Sequence, residues 1–213
     1  MKPTSPVHSG PLDFDIDVRE AQVVGAGQRV APLSAEELTN VAKDLSGMIR
    51  SVFGVHDNSV IPDVFATMAR TPGLYRCQLE MGAQLVRHGA LPPRERELAV
   101  LRVGWLCRAP FEWGEHVEFS KGCGVTAAEI ERVTRGSSDP GWDEHDRNLL
   151  RAVEELIGDQ SISDDTWKAL ASRWNEQQLM ELPVLTGHYV LTAMLQNALR
   201  IQLLPNNVGL RQR

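Results

Sequence analysis

The stretch "PPRERELAVLRVGWLCR", residues 92–108, decides the fold. It opens on Pro92 and Pro93, at a helix entry where the first N–H groups have no intrahelical partner to lose. A polar "RERE" turn follows, and then an almost wholly apolar run. Leu98, Leu101 and Trp105 form one stripe; Val100, Val103 and Cys107 form another. A surface helix needs only one apolar stripe. Apolar residues on more than one side predict a helix buried at the centre of a helical protein.

The flanking sequence has the same helical character. "SAEELTNVAKDLSGMIRSVFG" opens with a Ser34–Glu37 capping box and ends near Gly54. "PDVFATMART" enters at Pro62, and "PGLYRCQLEMGAQLVRHG" closes at Gly89. Beyond the central stretch, Pro110 starts "PFEWGEHVEFSKG" and Thr126–Glu129 forms a second capping box. "EHDRNLLRAVEELIGD" is amphipathic through Leu149, Leu150, Val153 and Leu156. "SDDTWKALASRW" precedes a last helical stretch, which Pro183 is expected to bend or break early. No strand-like alternation appears, so the expected class is all-α. Residues 1–33 are rich in Pro, Gly and Asp without a sustained period. They predict an extended N-terminal arm, packed on the body or on a neighbouring subunit, ahead of a helical domain at 34–213.

The chain has 213 residues, 42% hydrophobic and 23% charged, with a net charge of −6. These values suit a soluble globular protein. No basic patch suits nucleic acid, and no apolar run approaches the ~18 residues of a membrane span. The N-terminus lacks the apolar core of a signal peptide, and the expected location is cytoplasmic. Cys77, Cys107 and Cys123 form no Cys-x-x-Cys. They read as small buried apolar residues rather than as a disulfide framework or a zinc site.

Chemistry concentrates in one segment. Glu112 and His116 stand four residues apart and share a helix face, with Trp113 and Phe119 near it. An apolar wall beside a carboxylate and an imidazole moves both pKa values toward neutrality. Glu97 stands where the polar start of the central helix meets its apolar interior. Antiparallel packing across "RAP", residues 108–110, brings Glu97 toward His116. The other histidines read as structural or solvated. His8 lies in the arm, His56 in the polar "GVHDNS", His88 at a helix C-terminus, and His145 in the charged, exposed "DEHDR". His188 reads as a core or interface histidine.

The stretch "LPPRERELAVLRVGWLCRAPFEWGEHVEFSKGCGVTAAEIERV" resembles the central motif of the carboxymuconolactone decarboxylase family, which includes the AhpD-like alkylhydroperoxidases. The resemblance continues through "DRNLLRAVEELIGDQSISDDTWKAL" and spans roughly residues 30–205. It implies an AhpD-like helical bundle that assembles into a homo-oligomer, as a trimer, dimer or hexamer. In the peroxidase branch a Glu precedes a Cys-x-x-Cys, and a His follows. Glu97 and His116 match those two, but the cysteine positions fall on Ala109 and Glu112. Thiol peroxidase chemistry needs an attacking and a resolving thiol, so the resemblance implies a cysteine-free version of the site. In the decarboxylase branch a Glu stands four residues before the His, as Glu112 does here.

The implied function is a cofactor-independent lyase acting by acid–base chemistry on a small carboxylated lactone or related cyclic acid. His116 is the expected proton donor, Glu112 its tuning partner and Glu97 a second acid–base group. Arg102 and Arg108 are candidates to clamp a substrate carboxylate, and Trp113 is a candidate pocket wall. Neither a metal nor an organic cofactor is needed if a substrate carbonyl takes the electrons. Isomerisation, cyclisation or hydrolysis by the same residues, or a non-catalytic helical oligomer, are the alternatives.

Overall fold

The computed structural model describes residues 14–41, 45, 47–49 and 61–213. The expectations for His8, for His56 and for the end of the first long helix near Gly54 lie outside these residues. No strand occurs among the described residues, and the protein is all-α.

The central helix runs Pro93–Leu106, with Pro92 at its N-cap. Residues from Glu97 to Arg102 have no solvent exposure at all. The two-stripe pattern gives this result because helices pack on several sides. These are Pro110–Gly122, Ala127–Arg135, Glu144–Asp159 and Glu176–Leu199. Truncating a fully buried leucine such as Leu98 to Ala would cost about 2–5 kcal/mol, since the close-packed surroundings cannot refill the space.

The reversal after this helix positions the site. Arg108 takes a left-handed conformation (φ 49) and Ala109 an extended one. Pro110 then opens the helix Pro110–Gly122, which returns against the central helix. This antiparallel pairing sets Glu97 opposite the next helix. Ordered caps fix the ends of the neighbours. Ser34 and Glu37 exchange bonds at the start of Ala35–Val41, and Thr126 and Glu129 do so before Ala127–Arg135. Asn175 and Gln178 cap Glu176–Leu199.

Two expectations are corrected. Glu176–Leu199 runs unbroken through Pro183. The lost N–H at Pro183 is offset by burial of Leu179, Leu182 and Leu185 around it. The arm is not wholly extended either. Ile16–Glu20 is helical, and Ala21–Gly25 continues as a wider π turn. This part folds back on the body. Phe14 tilts against Trp105 at 5.2 Å, Arg19 Nε donates to the Arg108 carbonyl at 2.9 Å, and Gln28 Nε2 donates to Thr67 Oγ1 at 2.6 Å.

Candidate active site

Glu97 and His116 meet. His116 Nδ1 lies 2.8 Å from Glu97 Oε2, and His116 Nε2 lies 3.2 Å from Glu112 Oε1. The imidazole thus sits between two carboxylates, one from each arm of the helix pair. Glu97 also accepts from Arg96 Nε at 2.9 Å. Glu112 accepts from Gln196 Nε2 at 2.6 Å. The rings of Tyr189 and Phe119 stand edge-on to His116 at 5.0 and 5.9 Å.

Burial works against a charge on His116, but the Glu97 charge and the bond to Glu112 outweigh it. The pKa is pushed up to about 10. Burial likewise opposes ionisation of Glu97, and the His116 charge outweighs that, so Glu97 stays below the ordinary carboxylate range. At neutral pH the cluster is an imidazolium donating to two carboxylates. An imidazolium has no lone pair to offer a metal.

Glu112 and His116 line a cavity of about 300 Å³. Its walls are mostly apolar and include Val64, Phe65, Met68, Leu79, Phe111 and Phe119. Glu97 is not among the lining residues and lies behind His116, with no solvent exposure. The Nε2 edge of His116 and the Glu112 carboxylate are therefore the groups that a ligand meets. A third carboxylate, Glu115, also lines the cavity, and Asn207 Nδ2 donates to it at 2.8 Å. Burial holds the Glu115 pKa above its ordinary value.

The three other candidate residues lie outside this cavity. Arg102 is fully buried, but its guanidinium pairs with Glu154 at 2.8 Å and donates to the carbonyls of Val133 and Thr134. Gly136 (φ 77) seals that pair, since any side chain there would strike Arg102 and Glu154. Arg108 is exposed beside the arm, with its guanidinium over Phe14. Trp113 packs on Trp105 at 5.0 Å and donates from Nε1 to the Gln212 carbonyl. A helix turns Trp113 about 100° away from Glu112, which puts it in the core.

Other readings change as well. His145 is not exposed: its ring packs edge-on against Trp174, 3.2 Å from Glu95. Cys77 is exposed, and Cys107 and Cys123 are only partly buried. His188 is buried as expected, but it belongs to the cavity wall with Tyr189, Thr192 and Gln196. Two stripes at helical spacing carried this information: Glu112, Glu115, His116 and Phe119 on one helix, and His188, Thr192 and Gln196 on the other.

Residues 72–155 match the carboxymuconolactone decarboxylase family. The match covers 84 of the 213 residues, and this segment is similar to that family. The matched segment contains Glu97, Glu112 and His116 but ends before the long helix that supplies His188 and Gln196. No curated protein matches the chain. The fold is similar to that of a protein of unknown function from Agrobacterium tumefaciens, provisionally designated an antioxidant defence protein AhpD. The TM-score is 0.57 at 20% identity, over 64% of this chain and 94% of that one. It is also similar to the apo debrominase Bmp8, with a TM-score of 0.65 at 13% identity, over 85% of this chain and 95% of that one. At these identities the likeness establishes the fold alone.

Proposed function

We propose that the chain is a member of the carboxymuconolactone decarboxylase family and a cofactor-independent enzyme that moves protons on a small cyclic substrate. One observation carries the reading. His116 is clasped by two carboxylates at the wall of a mostly apolar cavity large enough for a ring-sized molecule. The imidazolium is the resting proton donor, and the Glu112 contact is the longer of its two. A substrate carbonyl that displaces Glu112 from Nε2 receives the proton as negative charge develops on it. In an isomerisation the Glu112 carboxylate takes the proton lost from carbon. Glu97 keeps Nδ1–H engaged throughout, so it orients the ring and holds its charge. Glu112 then delivers its proton to the carbon that gains hydrogen, and the enol O–H returns its proton to Nε2, which restores both groups. Acid–base help of this kind is worth roughly 10²–10⁴-fold.

Decarboxylation of a carboxylated lactone is the second reading. There the electrons of the C–C bond pass into the lactone carbonyl, CO₂ leaves, and the His116 proton quenches the resulting enolate at carbon. Arg87 in the cavity wall favours this reading, since Arg102 and Arg108 are placed elsewhere. Thiol peroxidase action is not proposed. Burial and the Glu112 charge push the Cys107 thiol up to about 11, against the opposing pull of Arg19. Self-association accompanies the proposal. Met180, Val184, Leu191 and Met194 present one exposed apolar face on the long helix.

The test is turnover on a panel of small lactones, lactone carboxylates and cyclic enones by wild type, His116→Gln and His116→Ala. Loss of turnover in both variants, with the fold and assembly kept, is expected. Undiminished turnover in either variant refutes the assignment.

A further inference from the structure

A second recess lies between the N-terminal arm and the end of the long helix Glu176–Leu199. Its volume is about 640 Å³, and Arg19, Arg29, Arg200, Asn197 and Cys107 are among its lining. Among the described residues no acidic side chain lines it. In a chain with a net charge of −6, three arginines around one recess without a carboxylate call for a reason. Elsewhere the arginines are neutralised. Arg94, Arg96, Arg102, Arg135, Arg211 and Arg213 each pair with a carboxylate. Among the described residues Arg19, Arg29 and Arg200 have no such partner. The acids of the arm are engaged elsewhere. Asp15 accepts from the Val18 N–H, Asp17 pairs with Arg211, and Glu20 accepts from the Leu210 N–H. Glu154 lines an adjoining recess with Arg19 and Arg108, but Arg102 neutralises it.

Backbone carbonyls hold two of these guanidinium groups in place. Arg19 Nε donates to the Arg108 carbonyl at 2.9 Å, and Arg29 Nη1 donates to the Ala198 carbonyl at 3.0 Å. Each fork is thereby fixed with N–H groups to spare, since a guanidinium has five. Burial, and then the Arg108 charge, lower the Arg19 pKa from its ordinary value, with Cys107 opposing them. Arg200 sits at the C-cap of the long helix in a left-handed conformation (φ 56). Glycine is the unstrained choice there. An arginine costs conformational energy at that place and gains no ion pair from the described residues.

We propose that this recess binds the phosphate group of a small phosphorylated molecule, with Arg19, Arg29 and Arg200 as its cations. Three guanidinium groups around one recess suit a dianion with three acceptor oxygens, and the planar forks match the geometry of such oxygens. The volume exceeds that of a phosphate and leaves room for the organic part. The site is separate from the His116 cavity, whose own arginine, Arg87, does not line the recess. The inference goes beyond the proposed function and does not depend on it.

The probes are inorganic phosphate and glycerol phosphate, with glycerol and succinate as controls. Calorimetry on the full-length protein, at low salt and about pH 8 where a phosphate monoester is a dianion, should show both phosphates binding. Glycerol should not bind, and succinate, a dianion of two carboxylates, should bind more weakly. Arg200→Gly should weaken glycerol phosphate roughly ten- to hundredfold, the worth of one charge-assisted hydrogen bond. Glycine suits the left-handed position, so this variant keeps the fold even where Arg19→Gln loosens the arm. Arg19→Gln should weaken binding to a similar degree, and Arg87→Gln should leave it unchanged. No binding of either phosphate, tighter binding of succinate, equal affinity in Arg200→Gly or a comparable loss in Arg87→Gln overturns the proposal. Met194, on the apolar face proposed for self-association, borders the recess. A second copy that closed the recess would show as no binding and would overturn it too. Turnover does not enter these readings, so their failure leaves the proposed function standing.

Discussion

Two residues apart on the central helix, Glu95 and Glu97 each hold a histidine. Glu95 Oε2 lies 3.2 Å from His145 Nε2, and Glu97 Oε2 lies 2.8 Å from His116 Nδ1. Both carboxylates are buried, and the helix turns them to different sides. What lies beyond each ring differs. The His145 ring closes against Trp174 at 5.4 Å, and Glu95 also accepts from Trp174 Nε1 at 2.8 Å and from Arg173. Burial opposes its charge, but the bonds from His145 and Trp174 outweigh that and keep its pKa below the ordinary range. Neither Glu95 nor His145 lines the cavity. The His116 ring instead reaches a second carboxylate and forms part of the cavity wall. A buried Glu–His pair is thus as readily a structural clasp as a catalytic one. The open space and the second acid separate the two.

The largest effect should come from breaking the two pairs in parallel. His116→Gln should lower kcat/KM on a confirmed substrate by roughly 10²–10⁴-fold. His145→Gln should leave it within a few-fold and lower stability by about 1–3 kcal/mol, because Glu95 loses a buried partner. Steady-state kinetics and urea denaturation on both variants read this contrast. An activity loss in His145→Gln equal to that in His116→Gln would erase the distinction.

Arg102 tests the structural side again. It stands five residues beyond Glu97, equally without solvent. Arg102→Met leaves Glu154 charged and buried without its partner, although Ser137 still donates to it. The expected cost is about 3–5 kcal/mol of stability, with KM unchanged. A raised KM at unchanged stability would return Arg102 to the substrate site.

The sequence carried the fold and half of the site. Two apolar stripes on residues 92–108 implied a buried helix, and the proline-opened reversal after it implied an antiparallel partner. Those two facts bring Glu97 to His116. The positions of the arginines were not legible. Arg102 lies within an apolar run, and a charge there says only that something must neutralise it. Its partner Glu154 is 52 residues away, with nothing local to mark it. His145 was misread for a related reason. Its neighbours Asp143, Glu144, Asp146 and Arg147 look like a solvated turn, but Asp146 is itself buried on Arg94 at 2.6 Å. His188 was hidden by apolar neighbours, which describe a core helix and a cavity wall equally well.

The pH response sharpens the comparison further. The His116 pKa is raised in the folded state, to about 10 from an unfolded value near 6.5. The resulting stability is fully present below about pH 6.5 and is lost as pH rises through about 10. Glu97→Gln removes the nearest negative charge, so the His116 pKa should fall toward its ordinary value. The alkaline decline in urea midpoint should then flatten, and the alkaline limb of kcat/KM should move to lower pH. His116 NMR titration in both proteins measures the shift directly. An unchanged titration midpoint would mean that Glu97 does not hold the charge.

The smallest effect is expected at Cys107. It lies at the C-terminal end of the central helix, outside the cavity, as His145 does. A thiol raised to about 11 is almost wholly protonated at neutral pH, and peroxide attack requires the thiolate. Substitution by Ser keeps the size and polarity of the side chain and removes the sulfur. Cys107→Ser should therefore leave turnover within about twofold, and neither protein should consume peroxide with thiol reductants. Peroxide consumption by wild type that disappears in Cys107→Ser would reverse the assignment. The reactive group would then be sulfur, with Glu112 raising its pKa rather than serving His116.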